Sequence, residues 1–271
     1  MKKLSKVFSA LFCIMLLSAC AAGIQNDETE VRQESTTGVE IEEKDGEEYF
    51  LFQDVEENTY RAELLENVPR NTYDFSHMSV DENTGFRTYH DEENGITSRM
   101  GIDVSEFQGE EIDWEQVRKS GIEFVIIRLG YRAYGESGDL VLDDMFDKNI
   151  KGAMDAGLDT GVYFFSQAVT PTEAVEEAEF VLDHIRPYDI EGPVVYDTEE
   201  IKGDTARTDG NTRQDFTNYC KVFCDTIEHA GYDSMIYANM KWMAFTLDME
   251  ELTDYRFWYA DYHELPQCPY E

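Results

Sequence analysis

Gly161-Val162-Tyr163-Phe164-Phe165-Ser166-Gln167 is an apolar run of strand length. A helical period over residues 172–185 follows it, and then a second apolar run, Pro193-Val194-Val195-Tyr196-Asp197-Thr198. Two strands joined by a helical crossover lie parallel. The alternation extends in both directions. Upstream are strand candidates at 101–105 and 124–131 and helix candidates at 114–120 and 145–156; downstream are a helix at 213–230, strands at 234–239 and 257–262, and a short helix at 241–245. Asp113 and Thr170-Pro171 supply helix-start chemistry, and Gly121, Gly157 and Gly231 fall where helices should stop. Repeated strand–helix units make an α/β fold with a parallel sheet. Six strands, with the alternation still running at the last residue, fit a TIM-like (β/α) barrel short of its closing strands better than a complete doubly wound sheet. The doubly wound alternative stays open, but no Gly-x-Gly-x-x-Gly or Walker motif follows any strand, so a nucleotide-binding version lacks its phosphate cradle.

The 271 residues allow one full-sized domain and an appendage, and 42% hydrophobic residues are ordinary for a globular chain. A formal net charge of -36 argues against nucleic acid, whose affinity rests on Lys and Arg neutralising phosphates. Much of the acidity lies between Gln25 and Glu93 and reads as solubility. Lys2, Lys3 and Lys6 precede an apolar run from Val7 to Leu17, an export leader too short for a membrane span. Leu17-Ser18-Ala19-Cys20 resembles the bacterial lipoprotein box, so residues 1–19 are expected to leave and Cys20 to be acylated, anchoring the protein to the outer face of the cytoplasmic membrane. Residues 20–48 read as an acidic tether and 49–98 as a small prelude. Within the prelude, His77-Met78-Ser79-Val80, the turn-rich Asp81–Gly85 stretch and Phe86-Arg87-Thr88-Tyr89 form a hairpin pattern, with Gly85 supplying positive φ. Residues 99–271 form the main domain. Cys220 and Cys224 share a helix face as partly buried thiols, and neither a disulfide framework nor a metal site is expected.

In a parallel barrel the reacting groups lie at the carboxyl ends of strands. The run ending at Tyr196 continues as Asp197-Thr198-Glu199, and strand periodicity puts Asp197 and Glu199 on one face, roughly 6.6 Å apart between Cα atoms. Two carboxylates in one pocket raise each other's proton affinity, as a general acid requires; a solvated Asp/Glu loop is the alternative. Asp103, in Gly101-Ile102-Asp103-Val104-Ser105, sits either at the mouth or as a cap of the following loop. Strand phase also offers Arg128, Tyr163, Phe165, Tyr237 and Asn239 to a sugar groove, with core packing the alternative for each aromatic. Arg128 could hold a carboxylate or a peptide stem. Trp258 and Asp261 lie on opposite faces of the last strand candidate, and the sequence leaves open which points inward. His184 and His229 lie in helices and read as surface or satisfied core residues.

The motifs Gly101-Ile102-Asp103-Val104-Ser105 with Gln108-Gly109 and Ile112-Asp113-Trp114, then Gly161-Val162-Tyr163-Phe164-Phe165, Asp197-Thr198-Glu199 and Phe257-Trp258-Tyr259-Ala260, occur in this order. Together they resemble glycoside hydrolase family 25, the Chalaropsis-type lysozymes. The resemblance implies a peptidoglycan hydrolase, an N-acetylmuramidase without metal or other cofactor, cleaving the β-1,4 bond between N-acetylmuramic acid and N-acetylglucosamine. It implies Glu199 as catalytic acid, Asp197 as the acid that orients the substrate acetamido group and Asp103 as the first-strand carboxylate. With carboxylates this close, a retaining route through the acetamido oxygen is expected rather than inversion. The expected partners are glycan strands and, through the lipid anchor, a membrane; the protein is expected to be monomeric.

The family usually continues past this point with a Trp-Gln-Tyr strand and a final strand carrying an Asp-x-Asn motif, and the chain stops at Glu271 before either. The expectation is a barrel missing two strands, with 257–262 as an unpartnered, aggregation-prone edge. A metal-dependent deacetylase needs an Asp/His/His set, and no His-x-x-x-His spacing occurs. A non-catalytic wall-binding lipoprotein of the same fold is the remaining rival.

Overall fold

The computed structural model describes residues 30–32, 39–109 and 111–271. The leader, the lipoprotein box with Cys20 and most of the expected tether lie outside the described residues.

The chain opens with an antiparallel meander, β1 (Glu30–Arg32), β2 (Glu40–Lys44), β3 (Glu47–Gln53) and β4 (Thr59–Glu63), paired in that order. The expected tether therefore needs correction: β2 pairs along its whole length with β3. Local acidity is outweighed because Val39 and Ile41 turn toward the core while Glu42 meets Arg61 at 3.6 Å. A second small sheet comprises β5 (Met78–Val80), β6 (Arg87–Asp91) and β7 (Ile96–Thr97). Its first hairpin is the expected one: Met78 pairs with Tyr89, and Gly85 adopts φ 73° in the turn, where Asp81 accepts the backbone N–H groups of Asn83 and Thr84.

The main sheet comprises β8 (Gly101–Val104), β9 (Phe124–Arg132), β10 (Leu140–Leu142), β11 (Asp159–Phe165), β12 (Val194–Asp197), β13 (Ser234–Asn239) and β14 (Phe257–Ala260). β9, β11, β12, β13 and β14 run parallel in that order; β9's other edge carries parallel β8 along its first half and the short antiparallel β10 along its last residues. The six expected strands are all present, and β10 is an addition. Among the described residues β8 and β14 do not pair, so the sheet is an open, curled half-barrel rather than a closed TIM barrel. Two neighbouring strands approach closely at one point: a Cβ on Gly161 would meet the Pro193 carbonyl oxygen at 2.7 Å, so only glycine lets β11 and the residue before β12 come this near.

The helices α1 (Trp114–Lys119), α2 (Phe146–Asp155), α3 (Pro171–Ile185), α4 (Arg213–His229) and α5 (Met240–Phe245) match the expected ones to within a residue or two. Asp113 and Thr170 cap α1 and α3 through their side chains. Ala174, Ala178, Val181 and Ile185 of α3 and Cys220, Phe223, Cys224 and Ile227 of α4 recur at helical spacing and are buried against the convex side. Cys220 and Cys224 are thus free, fully buried thiols rather than partly buried ones. Among the described residues no helix is long and apolar enough to cross a membrane.

The amino-terminal sheet is not a separate body. Phe50 and Phe52 belong to the same apolar cluster as Met249, Leu252 and Tyr270. Phe52 meets Phe245 of α5 at 6.1 Å and Phe50 meets Tyr270 edge-on at 6.0 Å. After edge strand β14 the chain returns to this sheet, where Gln53 N–H donates to Gln267 at 2.8 Å and Asn71 N–H donates to the Pro269 carbonyl at 2.9 Å.

Candidate active site

The pocket at the carboxyl end of the sheet is built by strand phase. Tyr196 of β12 points to the helix side, where its ring lies 4.8 Å from that of Phe223, so Asp197 must point to the concave side. The ladder registers place Phe165, Asp197, Tyr237 and Trp258 in one row across β11 to β14. β9 joins this row only because its register shifts between Tyr163 and Phe164, which brings Tyr131 opposite Phe165. Asp103, Tyr163, Asp197, Glu199, Tyr237 and Trp258 line one cavity of about 320 Å³, together with the segment after Trp258. The three expected carboxylates, Asp103, Asp197 and Glu199, therefore converge.

Their surroundings differ. Asp103 is exposed and leaves the capping of its loop to its neighbour: Ser105 accepts the Phe107 N–H, while Gln108 accepts from Ser105 N–H at 2.6 Å. That settles the alternative in favour of the mouth. Asp197 is 8% exposed, and its Oδ1 has no hydrogen-bond partner among protein atoms. Burial first, then the charges of Glu199 and Asp103, push its carboxyl well above the usual range, against a weaker pull from Arg128. Glu199 is also raised, by burial, although a hydrogen bond from Tyr237 and the charge of Lys202 act the other way. The two acids thus hold protons to a higher pH than ordinary carboxyls do, and among the described residues no cation forms an ion pair with either. Tyr163 and Tyr237 are themselves raised, chiefly by burial, and so stay neutral donors.

Other expected site residues fall differently. Arg128 does not line the cavity; its Nε donates to Asp143 at 2.7 Å and another guanidinium nitrogen to Glu106 at 2.8 Å, so the guanidinium holds the loop after β8 instead of awaiting a ligand. Phe165 is half-buried beside Asp197 and lines neither cavity around Glu199. Asn239 caps α5, accepting the Trp242 N–H at 2.9 Å, and lines only the larger adjoining groove. Asp261 does line the pocket, as does Trp258: β14 ends at Ala260, so the two are no longer bound to opposite faces. Burial would raise Asp261, but donors from His263, Gln267 and Tyr259 outweigh it and hold it low. Tyr259 and Tyr262, which also line the pocket, escaped the sequence reading; aromatic residues flanking Asp261 were the available signal. Among the described residues no group of three His, Cys, Asp or Glu side chains could hold a metal ion.

Residues 102–271 match the family model described as Glycosyl hydrolases family 25. No curated protein sequence matches the chain. Among solved structures, the modular autolysin LytC from Streptococcus pneumoniae superposes with a TM-score of 0.56 at 21% identity, over 85% of this chain and 52% of that one. The same autolysin in complex with a synthetic peptidoglycan ligand gives 0.56 and 21%, over 84% and 51%. A family 25 glycosyl hydrolase from Bacillus anthracis gives 0.51 and 21%, over 66% of this chain and 76% of that one. At such identities the likeness is one of fold, and this chain spans about half the length of the autolysin.

Proposed function

Because this chain belongs to family 25 of the glycosyl hydrolases, we propose that it is a peptidoglycan hydrolase, an N-acetylmuramidase that cuts the β-1,4 bond between N-acetylmuramic acid and N-acetylglucosamine. The observation that carries the reading is the pair of carboxyls at the end of β12, buried Asp197 and half-buried Glu199, both raised above the ordinary carboxyl range. The solved complex of a relative in fold with a synthetic peptidoglycan ligand supports the substrate class.

Glu199 gives its proton to the glycosidic oxygen as the C1–O bond breaks. The substrate's acetamido oxygen bonds to C1 from the opposite side, which forms an oxazolinium ring and keeps the anomeric configuration after two displacements. Asp197 accepts the acetamido N–H; as positive charge builds on that group, its ionised form becomes favourable, so the interaction strengthens toward the transition state. Glu199, now a carboxylate, takes a proton from the water that opens the ring. Tyr237 holds Glu199 in place through its hydroxyl, and Asp103 adds a carboxylate at the mouth of the pocket.

The reading includes a bacterial lipoprotein anchored through Cys20 to the outer face of the cytoplasmic membrane and acting as a monomer. Cys20→Ala is expected to abolish palmitate labelling and release the protein to the medium; equal membrane retention of both forms would overturn the anchor. Activity is tested by reducing-sugar release from purified peptidoglycan. Glu199→Gln is expected to lower turnover at least about a hundredfold, the lower bound of a general acid's contribution. Unchanged turnover would assign the acid elsewhere.

A further inference from the structure

The pocket around Asp197 and Glu199 does not end within the family 25 region. Glu199, Tyr237, Asp261 and Tyr262 line both it and an adjoining groove of about 1010 Å³. The far wall of that groove is the amino-terminal sheet, through Phe52, Gln53, Asp54, Val55, Glu56 and Tyr60, all of which precede the matched residues 102–271. This wall is fixed in place. Phe52 and Tyr60 pack on Phe245 at 6.1 and 6.0 Å, and Glu56 meets Lys202, from the loop after Glu199, at 3.0 Å. The tip between β3 and β4 is tied by Asp54, which accepts from Glu56 N–H, Asn58 N–H and the Tyr60 hydroxyl at 2.9, 3.0 and 2.9 Å.

We propose that this groove binds the continuing glycan strand beyond the sugars held in the catalytic pocket, and that the β3–β4 tip is a glycan-contacting element contributed by the amino-terminal sheet. The proposal rests on the hydrolase reading above. A polymer cut within its length needs a trough continuous with the scissile position, and the smaller cavity alone, at about 320 Å³, lies at the low end for even a small ligand. The lining chemistry suits sugars. Seven carboxylates face two lysines, and those lysines are already met by Glu56 at 3.0 Å and Glu200 at 3.8 Å. Carboxylates are acceptors for the hydroxyls of a glycan. Tyr262, 77% exposed where the two cavities meet, and Val55, 60% exposed on the tip, offer apolar surface to sugar C–H faces.

The test uses glycan oligosaccharides of increasing length, peptide-free and, in a second series, carrying stem peptides. Binding is measured by calorimetry on the full chain carrying Glu199→Gln, and turnover on the unaltered chain. Affinity and kcat/KM are expected to grow with length, and Val55→Asp combined with Glu56→Gln is expected to cut the long-to-short ratio about tenfold, or about 1.4 kcal/mol. Both positions are exposed, so thermal unfolding should be unchanged; Glu56→Gln alone serves should the double variant unfold, with a smaller fall in the same ratio. A ratio that does not depend on length or on the tip would overturn the proposal. So would a tip effect confined to strands carrying stem peptides, which would make the groove a peptide site. If no glycan is cleaved but binding remains length-dependent and tip-sensitive, the hydrolase reading fails and the groove stands.

Discussion

The main sheet buries carboxylates on both of its faces, and it treats them in opposite ways. On the helix side, Glu177 of α3 is fully buried but surrounded by donors: Arg132 Nε at 2.7 Å and the Ser166 hydroxyl at 2.6 Å. Burial still pushes its acid up, to about 7, with Ser166 and Arg132 pulling it back. On the concave side, Asp197 has one oxygen without a protein partner and two other acids for company. The nearest relevant cation, Arg128, is already bonded to Asp143 and Glu106. The first arrangement holds strands and α3 together. The second leaves electrostatic strain in an open pocket, where a substrate can relieve it.

The largest effects should separate these roles cleanly. Glu199→Gln is expected to lose at least about a hundredfold in turnover while leaving the urea midpoint unchanged or higher, since it deletes a charge that its site disfavours. A large fall in stability would show that the acid is structural after all. Glu177→Ala should do the reverse on the other face, costing about 3–5 kcal/mol in urea unfolding because it strands the buried Arg132 guanidinium. The paired replacement Arg132→Met with Glu177→Leu sharpens the point: it should recover most of that loss, because a buried ion pair often does no better than an apolar pair of similar volume. If the double change is as damaging as the single one, the network contributes through Gly138 and Glu176, which Arg132 also meets.

Sequence periodicity made the parallel strands and their helices legible and put Asp197 and Glu199 on one face, because each depends on a local repeat and on where an apolar run ends; the choice of these two with Asp103 as the site acids came from the family resemblance. What it missed depends on distant partners. β2 has a tether's composition and becomes a strand because β3, with Phe50 and Phe52 to bury, needs a neighbour. Arg128 has the right phase for the groove, but Asp143 and Glu106, brought close by the β9–β10 turn and the loop after β8, capture it. Asn239 behaves alike: a strand-end asparagine before a helix is a cap as readily as a ligand. Trp258 and Asp261 looked mutually exclusive only while the strand was read through residue 262; its end at Ala260 removes the constraint.

The smallest expected effect is a slope rather than a loss. Asp197 and Glu199 have folded-state proton affinities raised above their ordinary values of 3.8 and 4.5. A raised carboxyl contributes stability that is fully present below its unfolded value and is lost as pH rises through the folded one, since the unfolded chain ionises first. The pair therefore opposes the usual gain in stability that carboxylates give on leaving acid. Asp197→Asn removes the buried member without emptying its volume, and its amide can donate to Glu199 and Asp103, the acids that act on Asp197. The variant and the parent should be nearly equally stable near pH 4, with the variant gaining as pH rises toward neutrality, although its turnover falls. In the parent, turnover should decline on the alkaline side once the raised Glu199 proton is lost, at a pH above that at which an ordinary glutamate ionises. Urea midpoints taken across that span decide the matter: a difference that stays flat with pH, or a variant weaker than the parent at neutral pH, would mean that Asp197 is compensated in the folded state and that the two faces of the sheet are not opposites.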